Sequence, residues 1–310
     1  MKLIRGTQLN AGFANGTVAT IGNFDGVHLG HQNLLRVLKD KARQKGLPLV
    51  VILFEPQPRE YFHKEQAPPR ISSLREKLDE LKKCDVNYVY CIKFDHVMAQ
   101  TNASVFAKEH LFHHLSVKYL LIGEDFRFGK NREGNVELLR QIGANNSCEV
   151  VTYSDFCIEN ERVSSTKIRE ALKLGHLDVA KRLLGRNYSM CGRVIHGDGR
   201  GRQWGIPTAN LSLHRLEIPL TGVFAVEVTI SSKKALGVAN IGKRPTVDGT
   251  RNVLEVHLFD FDYSIYGELM QVNFLHKLRD EVKFTTIEAL ITQIHHDISA
   301  AKNYLNLRIV

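Results

Sequence analysis

The succession of apolar runs and amphipathic stretches constrains this chain more than any other feature. Five strand-like runs, Val18–Ile21, Leu49–Phe54, Tyr88–Ile92, Val117–Ile122 and Val150–Tyr153, alternate with helix-like stretches at Gln32–Gln44, Leu74–Lys83, Ala103–Leu115, Val136–Ile142 and Lys167–Lys173. Such alternation predicts a parallel sheet with helices on its faces, and ligands in that fold class bind at the carboxyl ends of the strands. The pattern stops near Gly185, after a last helical stretch at His176–Leu184. Beyond it come closely spaced strand-like runs, Ser189–Ile195, Val223–Ile230, Leu236–Ile241, Val253–Phe259 and Gln271–Leu275, and a final helical stretch, Thr285–Leu305. Strands with few helices between them predict an antiparallel sheet or barrel. A chain of 310 residues suits two domains, and the change of pattern puts their boundary at about residue 186, giving 1–186 and 187–310.

Composition narrows the function classes. The longest apolar run, Leu47–Phe54, is far too short to span a bilayer, and Met1–Gly16 has no apolar core of the signal-peptide type. Cys84, Cys91, Cys148, Cys157 and Cys191 are odd in number and form no Cys-x-x-Cys, which argues against a zinc ribbon or disulfide framework and for a reducing cytoplasm. The net charge of +9 favours anionic partners. Between residues 186 and 251, ten Lys/Arg stand against four Asp/Glu, but the arginines are interleaved with glycines rather than gathered on a helix face. That arrangement suits a loop around a small phosphate better than a nucleic-acid groove, so neither a nucleic-acid nor a membrane partner is expected. Self-association is neither required nor excluded by the pattern.

Three segments of the first domain fall at predicted strand ends. In Ile21–His31, I-G-N-F-D-G-V-H-L-G-H, His28 and His31 lie where a strand passes into a helix N-terminus. That end of a helix offers free N–H groups and partial positive charge, and two imidazoles at i and i+3 add donors on the same side, which suits phosphate. The plain alternative is a helix start with solvated imidazoles. The second segment, Gly123–Gly129 (G-E-D-F-R-F-G), reads either as a turn with two core aromatics or as a loop holding a ring system. The third, Val163–Arg169 (V-S-S-T-K-I-R), places three hydroxyls before a helix and Lys167 and Arg169 in its first turn. Cations there oppose the helix dipole, which makes sense where an anion binds.

The motifs G-N-F-D-G-V-H-L-G-H and S-S-T-K-I-R resemble the nucleotidylyltransferase signature, and G-E-D-F-R-F-G-K-N-R-E-G narrows the likeness to the FAD-synthetase module of prokaryotic bifunctional riboflavin kinase/FMN adenylyltransferases. Phe54–Phe62, F-E-P-Q-P-R-E-Y-F, fits the same family, with Gln57 where many members carry His. The resemblance implies a Rossmann-like domain in which the FMN phosphate attacks the α-phosphorus of ATP and pyrophosphate leaves, with Mg²⁺ bridging the charges. It implies that His28 and His31 contact the ATP phosphates and stabilise the transition state. Ser164, Thr166 and Arg169 would hold the pyrophosphate end, and Asp125, Phe128, Phe54 and Phe62 would belong to the nucleotide or flavin pocket.

The second domain carries G-R-V from Gly192, G-D-G-R-G-R from Gly197 and G-I-P-T-A-N from Gly205 to Asn210. This is neither a Walker A loop nor a dinucleotide fingerprint. Glycines let backbone N–H groups approach phosphates, and the oxygens of Thr208 and Asn210 suit Mg²⁺. In Leu254–Phe259, Glu255 and His257 alternate with Leu254, Val256 and Leu258, so both lie on the polar face of a strand. By pattern alone Glu255 is a solvated strand residue. By resemblance it is the general base of riboflavin kinase, which takes the ribityl 5′-hydroxyl proton as that oxygen attacks the γ-phosphorus of ATP. The same resemblance makes Thr208 and Asn210, with Gly199 and Gly201, the ATP–Mg²⁺ segment, Arg279 a flavin-side residue, and the domain a six-stranded antiparallel barrel with a C-terminal helix. The activities implied are phosphorylation of riboflavin to FMN and adenylation of FMN to FAD, with ATP as co-substrate.

Overall fold

The computed structural model describes residues 1–6, 12–197, 201, 204–213, 215, 217–246 and 249–306. Two compact units emerge, Met1–Pro68 with Lys77–Ser164, and Pro69–Glu76 with Ser165–Val310.

The first unit is built on a six-stranded sheet of β1 (Lys2–Arg5), β2 (Thr17–Ile21), β3 (Leu49–Glu55), β4 (Tyr88–Lys93), β5 (Val117–Gly123) and β6 (Glu149–Tyr153), in the order β1-β4-β3-β2-β5-β6. Every pairing is parallel. β2 is buried along its whole length and β3 through Leu53, as strands covered on both faces must be, which is why they read as unbroken apolar runs. The strand order reverses between β2 and β5, so a crevice opens at their carboxyl ends. The loops Gly22–His28 and Glu124–Asn135 leave the sheet there.

Three elements differ from expectation. β1 adds an edge strand that its mostly exposed side chains do not announce. Pro58–His63 forms a short helix. The stretch expected as one helix over Ala103–Leu115 is α-helical only at Ala103–Phe106 and continues as a π-helix over Ala107–His114.

The second unit holds the helices Ser165–Leu174 and Leu177–Leu184 and a closed antiparallel barrel. After the short hairpin β7 (Cys157–Ile158) and β8 (Glu161–Arg162) of the first unit, the barrel strands are β9 (Ser189–Ile195), β10 (Ala209–Ser212), β11 (Gly222–Ile230), β12 (Lys233–Thr246), β13 (Gly249–Leu258) and β14 (Leu269–Arg279), in the order β10-β13-β12-β11-β14-β9. Pairing of β10 with β9 closes the ring. Leu254 and Val256 fill its interior, whereas Val223, Ala225, Val238 and Phe259 pack outside it with Ala301 of the C-terminal helix Ile287–Tyr304. β11 is therefore buried on both faces. Pro69–Glu76 is tied to this unit by Arg215, whose fully buried side chain pairs with Glu76 and donates to the Ile71 carbonyl at 3.2 Å and the Tyr188 hydroxyl at 3.2 Å. Glu76 also accepts from the Cys191 N–H at 2.6 Å.

Candidate active sites

The β2 loop turns sharply to bring His28 to the start of the helix Leu29–Lys45. Phe24 and Val27 both hold positive φ, 47° and 39°, which is costly for a bulky or β-branched residue and is tolerated where the surroundings over-determine the backbone. His28 is the N-cap, outside the helix rather than within it, and its Nδ1 accepts from the His31 N–H at 3.4 Å. The two imidazoles stack with centroids 3.7 Å apart, and Phe24 lies 4.7 Å from His31 on centroids. The two imidazoles therefore lie on the same side of the helix start, one as its cap and the other stacked on that cap. Burial, then the neighbouring His28 and Lys77, push the His31 pKa well below its ordinary value, so the ring is neutral at pH 7. Its Nδ1 is buried with no hydrogen-bond partner among the described residues. The first turn of the helix carries no acidic residue to compete with an anion.

Phe54 and Phe62 are brought together by a residue that sequence reading missed. Phe94 lies 5.6 Å from Phe54 and 5.7 Å from Phe62 on ring centroids, with Tyr61 at 5.5 Å. Asp125 is exposed on the β5 loop. Phe128 is instead buried in the core against Phe106, 5.7 Å away, and pairs by backbone with Gly134 in both directions at 3.2 and 2.9 Å. The ring packs inward and fixes the loop. Gln57 is buried, and its Nε2 has no partner among the described residues. Ser164 follows Val163, whose carbonyl flanks Gly30 of the first helix. Thr166 and Arg169 lie on the helix Ser165–Leu174 of the second unit, where Arg169 Nε donates to the Pro69 carbonyl at 2.8 Å.

Between the barrel's outer face and the C-terminal helix, Thr208, Asn210, Gly201, Glu255 and Arg279 line one cavity of about 280 Å³. Gly199 lies outside the described residues. Glu255 stands opposite Asn210 of β10 on one side and Asn240 of β12 on the other, so a carboxylate sits between two amides in one cross-strand row. His257, on the same face, meets the Pro207 carbonyl at 2.8 Å through Nδ1, which must then carry the proton. Burial lowers its pKa, and this contact partly offsets the shift. Arg279 grips buried Asp297 of the C-terminal helix with two guanidinium nitrogens, Nε at 2.8 Å and Nη2 at 2.7 Å. Phe284 lies 5.8 Å from the same guanidinium. Asn240, His257 and Asp297 were not singled out from sequence as site residues. Only the alternation at 254–258 hinted at His257.

Residues 11–167 match the family model for FAD synthetase, and residues 184–305 match that for riboflavin kinase. The bifunctional riboflavin kinase/FMN adenylyltransferase of Haemophilus influenzae is 48% identical over 307 residues, covering 99% of this chain and 100% of that protein. Its counterpart in Escherichia coli K12 is 46% identical over 309 residues, 99% of each chain. A solved structure described as a macrolide-efflux protein from Streptococcus pneumoniae aligns with a TM-score of 0.81 at 32% identity, over 97% of this chain and 99% of that one. Efflux is that protein's description. In this chain, among the described residues, no helix is long and apolar enough to cross a membrane. With both family matches in this order and relatives alike from end to end, the chain belongs to the bifunctional riboflavin kinase/FMN adenylyltransferase family.

Proposed function

We propose that adenylyl transfer runs at the carboxyl edge of the parallel sheet and phosphoryl transfer in the cavity between the barrel's outer face and the C-terminal helix. The chain phosphorylates riboflavin to FMN, converting ATP to ADP, and adenylates FMN to FAD, releasing pyrophosphate from a second ATP. We divide the functional modules at about residue 186, two residues past the start of the riboflavin kinase match at 184. The cytoplasm is the compartment we assign, since none of the five cysteines is in a disulfide.

In the kinase module, Glu255 takes the proton of the ribityl 5′-hydroxyl as that oxygen bonds to the γ-phosphorus and the bond to ADP breaks. The row Asn210–Glu255–Asn240 supports this role, because amides on both sides of the carboxylate can orient it toward one hydroxyl. The donor set fits Mg²⁺. Thr208 and Asn210 offer uncharged hard oxygens, and a β-carbon on Gly201 would stand 2.4 Å from the Ile206 carbonyl, so the loop closes tightly behind them. Thr208 and Asn210 would hold the ion, which would neutralise the polyphosphate. Arg279, fixed by Asp297, presents its guanidinium on the flavin side.

In the adenylyltransferase module no protein nucleophile is needed. An FMN phosphate oxygen bonds to the α-phosphorus as the bond to pyrophosphate breaks, and the protein positions the reactants and stabilises charge. His28, His31 and the helix N-terminus do so, with His31 acting as a neutral hydrogen-bonding group. Ser164, Thr166 and Arg169 hold the pyrophosphate end. Asp125 and the Phe54–Phe62–Phe94 cluster form the nucleotide or flavin pocket, and Phe128 shapes its loop.

The placement of Glu255 in the cavity wall carries the kinase reading. It is tested by chromatography of products from riboflavin, ATP and Mg²⁺. The parent should make FMN, then FAD. Glu255→Gln should lose FMN formation by about 10²–10⁴-fold and still convert supplied FMN to FAD. Parental riboflavin phosphorylation by a folded variant would remove Glu255 as the base.

A further inference from the structure

The π-helix over Ala107–His114 carries Glu109, His110, His113 and His114, none of which is among the residues proposed above for either activity. In an α-helix the residue five positions on points well away from the first. The i→i+5 bonding of a π-helix puts more residues into each turn, so positions i, i+4 and i+5 come to one side. Glu109, His113 and His114 have that spacing, and one ligand atom from each lies within 4.8 Å of the others. His110 is not part of the cluster, and its Nδ1 meets the Tyr90 hydroxyl at 2.9 Å. The Nδ1 of His114 is buried and has no hydrogen-bond partner among the described residues, so this imidazole is incompletely satisfied as it stands.

We propose that Glu109, His113 and His114 bind one divalent transition-metal ion of the Zn²⁺ class. Two imidazoles and a carboxylate suit Zn²⁺, Co²⁺ or Ni²⁺, whereas Mg²⁺ selects oxygen-only sites. Metal–ligand bonds of about 2.0–2.2 Å bring ligand atoms to roughly 3 Å apart, a closure that side-chain rotation of the exposed Glu109 and His113 supplies. Solvent water completes the coordination.

The test is calorimetric titration of the full chain with Zn²⁺ after chelator dialysis, without nucleotide or flavin. One tight equivalent is expected. His113→Ala and Glu109→Gln should each weaken it at least about tenfold while leaving the metal-free melting curve unchanged, since both side chains are exposed. Co²⁺ should give visible absorption that His113→Ala abolishes. A tight Zn²⁺ equivalent unchanged in both variants would overturn the site. So would equal weakening on replacing His295 and His296, an exposed pair on the C-terminal helix, because that result means diffuse surface binding.

Discussion

A β-carbon on Gly30 would stand 3.2 Å from Nδ1 of His28, so the absent side chain is what lets the imidazole fold back over the first helical turn. Crowding of this kind also fixes protonation. Burial holds the His31 and His257 pKa values below their ordinary 6.5, and both rings are neutral in the folded chain at pH 7. Unfolding releases them to the ordinary value, so below pH 6.5 the unfolded chain binds more protons than the folded one. Their contribution is fully present above that pH and is lost as pH falls through and below it. Melting temperature should accordingly drop on the acid side of 6.5, and His257→Asn, which keeps an amide donor for Pro207, should shallow that decline. Scanning calorimetry of parent and variant from pH 7.5 downward decides it, and superimposable acid limbs would discard the role of His257.

At the level of elements, His28 serves two purposes that substitution can separate. It caps the helix Leu29–Lys45, and it presents an imidazole at that helix's N-terminus. Asn is among the best N-caps, so His28→Asn should hold the melting temperature while losing FAD formation. His28→Ala should lose FAD formation and also about 0.5–2 kcal/mol of stability. Equal stabilities would show that the 3.4 Å cap contact contributes nothing. The junction of β2 with this helix was legible in the sequence because a buried strand and an amphipathic helix meet there without ambiguity. Other elements were not. β10, Ala209–Ser212, is four residues long and follows a proline, too short to establish alternation, yet it closes the barrel and carries Asn210. The π-helix shares its apolar positions with an ordinary helix, so a 3.6-residue period passes over it. Asn240 joins the site only through strand register, and register is set by which strands pair. Phe128 was placed by motif, but its inward direction follows from contact with Phe106.

For the molecule as a whole, the pairing of Arg215 with Glu76 matters most. A fragment spanning 187–310 contains every proposed kinase residue but lacks Glu76 and the Ile71 carbonyl. Removing one partner of a buried pair costs about 3–5 kcal/mol, because the other charge stays buried uncompensated. Riboflavin kinase activity in that fragment should therefore be inactivated at a distinctly lower temperature than in the full chain, and Glu76→Gln in the full chain should move it the same way. Matching inactivation temperatures for all three would show that the barrel does not depend on the pair. The same pair has a consequence on the ribosome. Glu76 precedes Arg215 by 139 residues, and at 5–20 residues per second that is roughly 7–28 s of synthesis. For that interval the emerging chain carries Pro69–Glu76 with its docking surface not yet made. The segment is thus a nascent-chain liability, open to chaperones and proteases until the barrel strands follow it out of the exit tunnel.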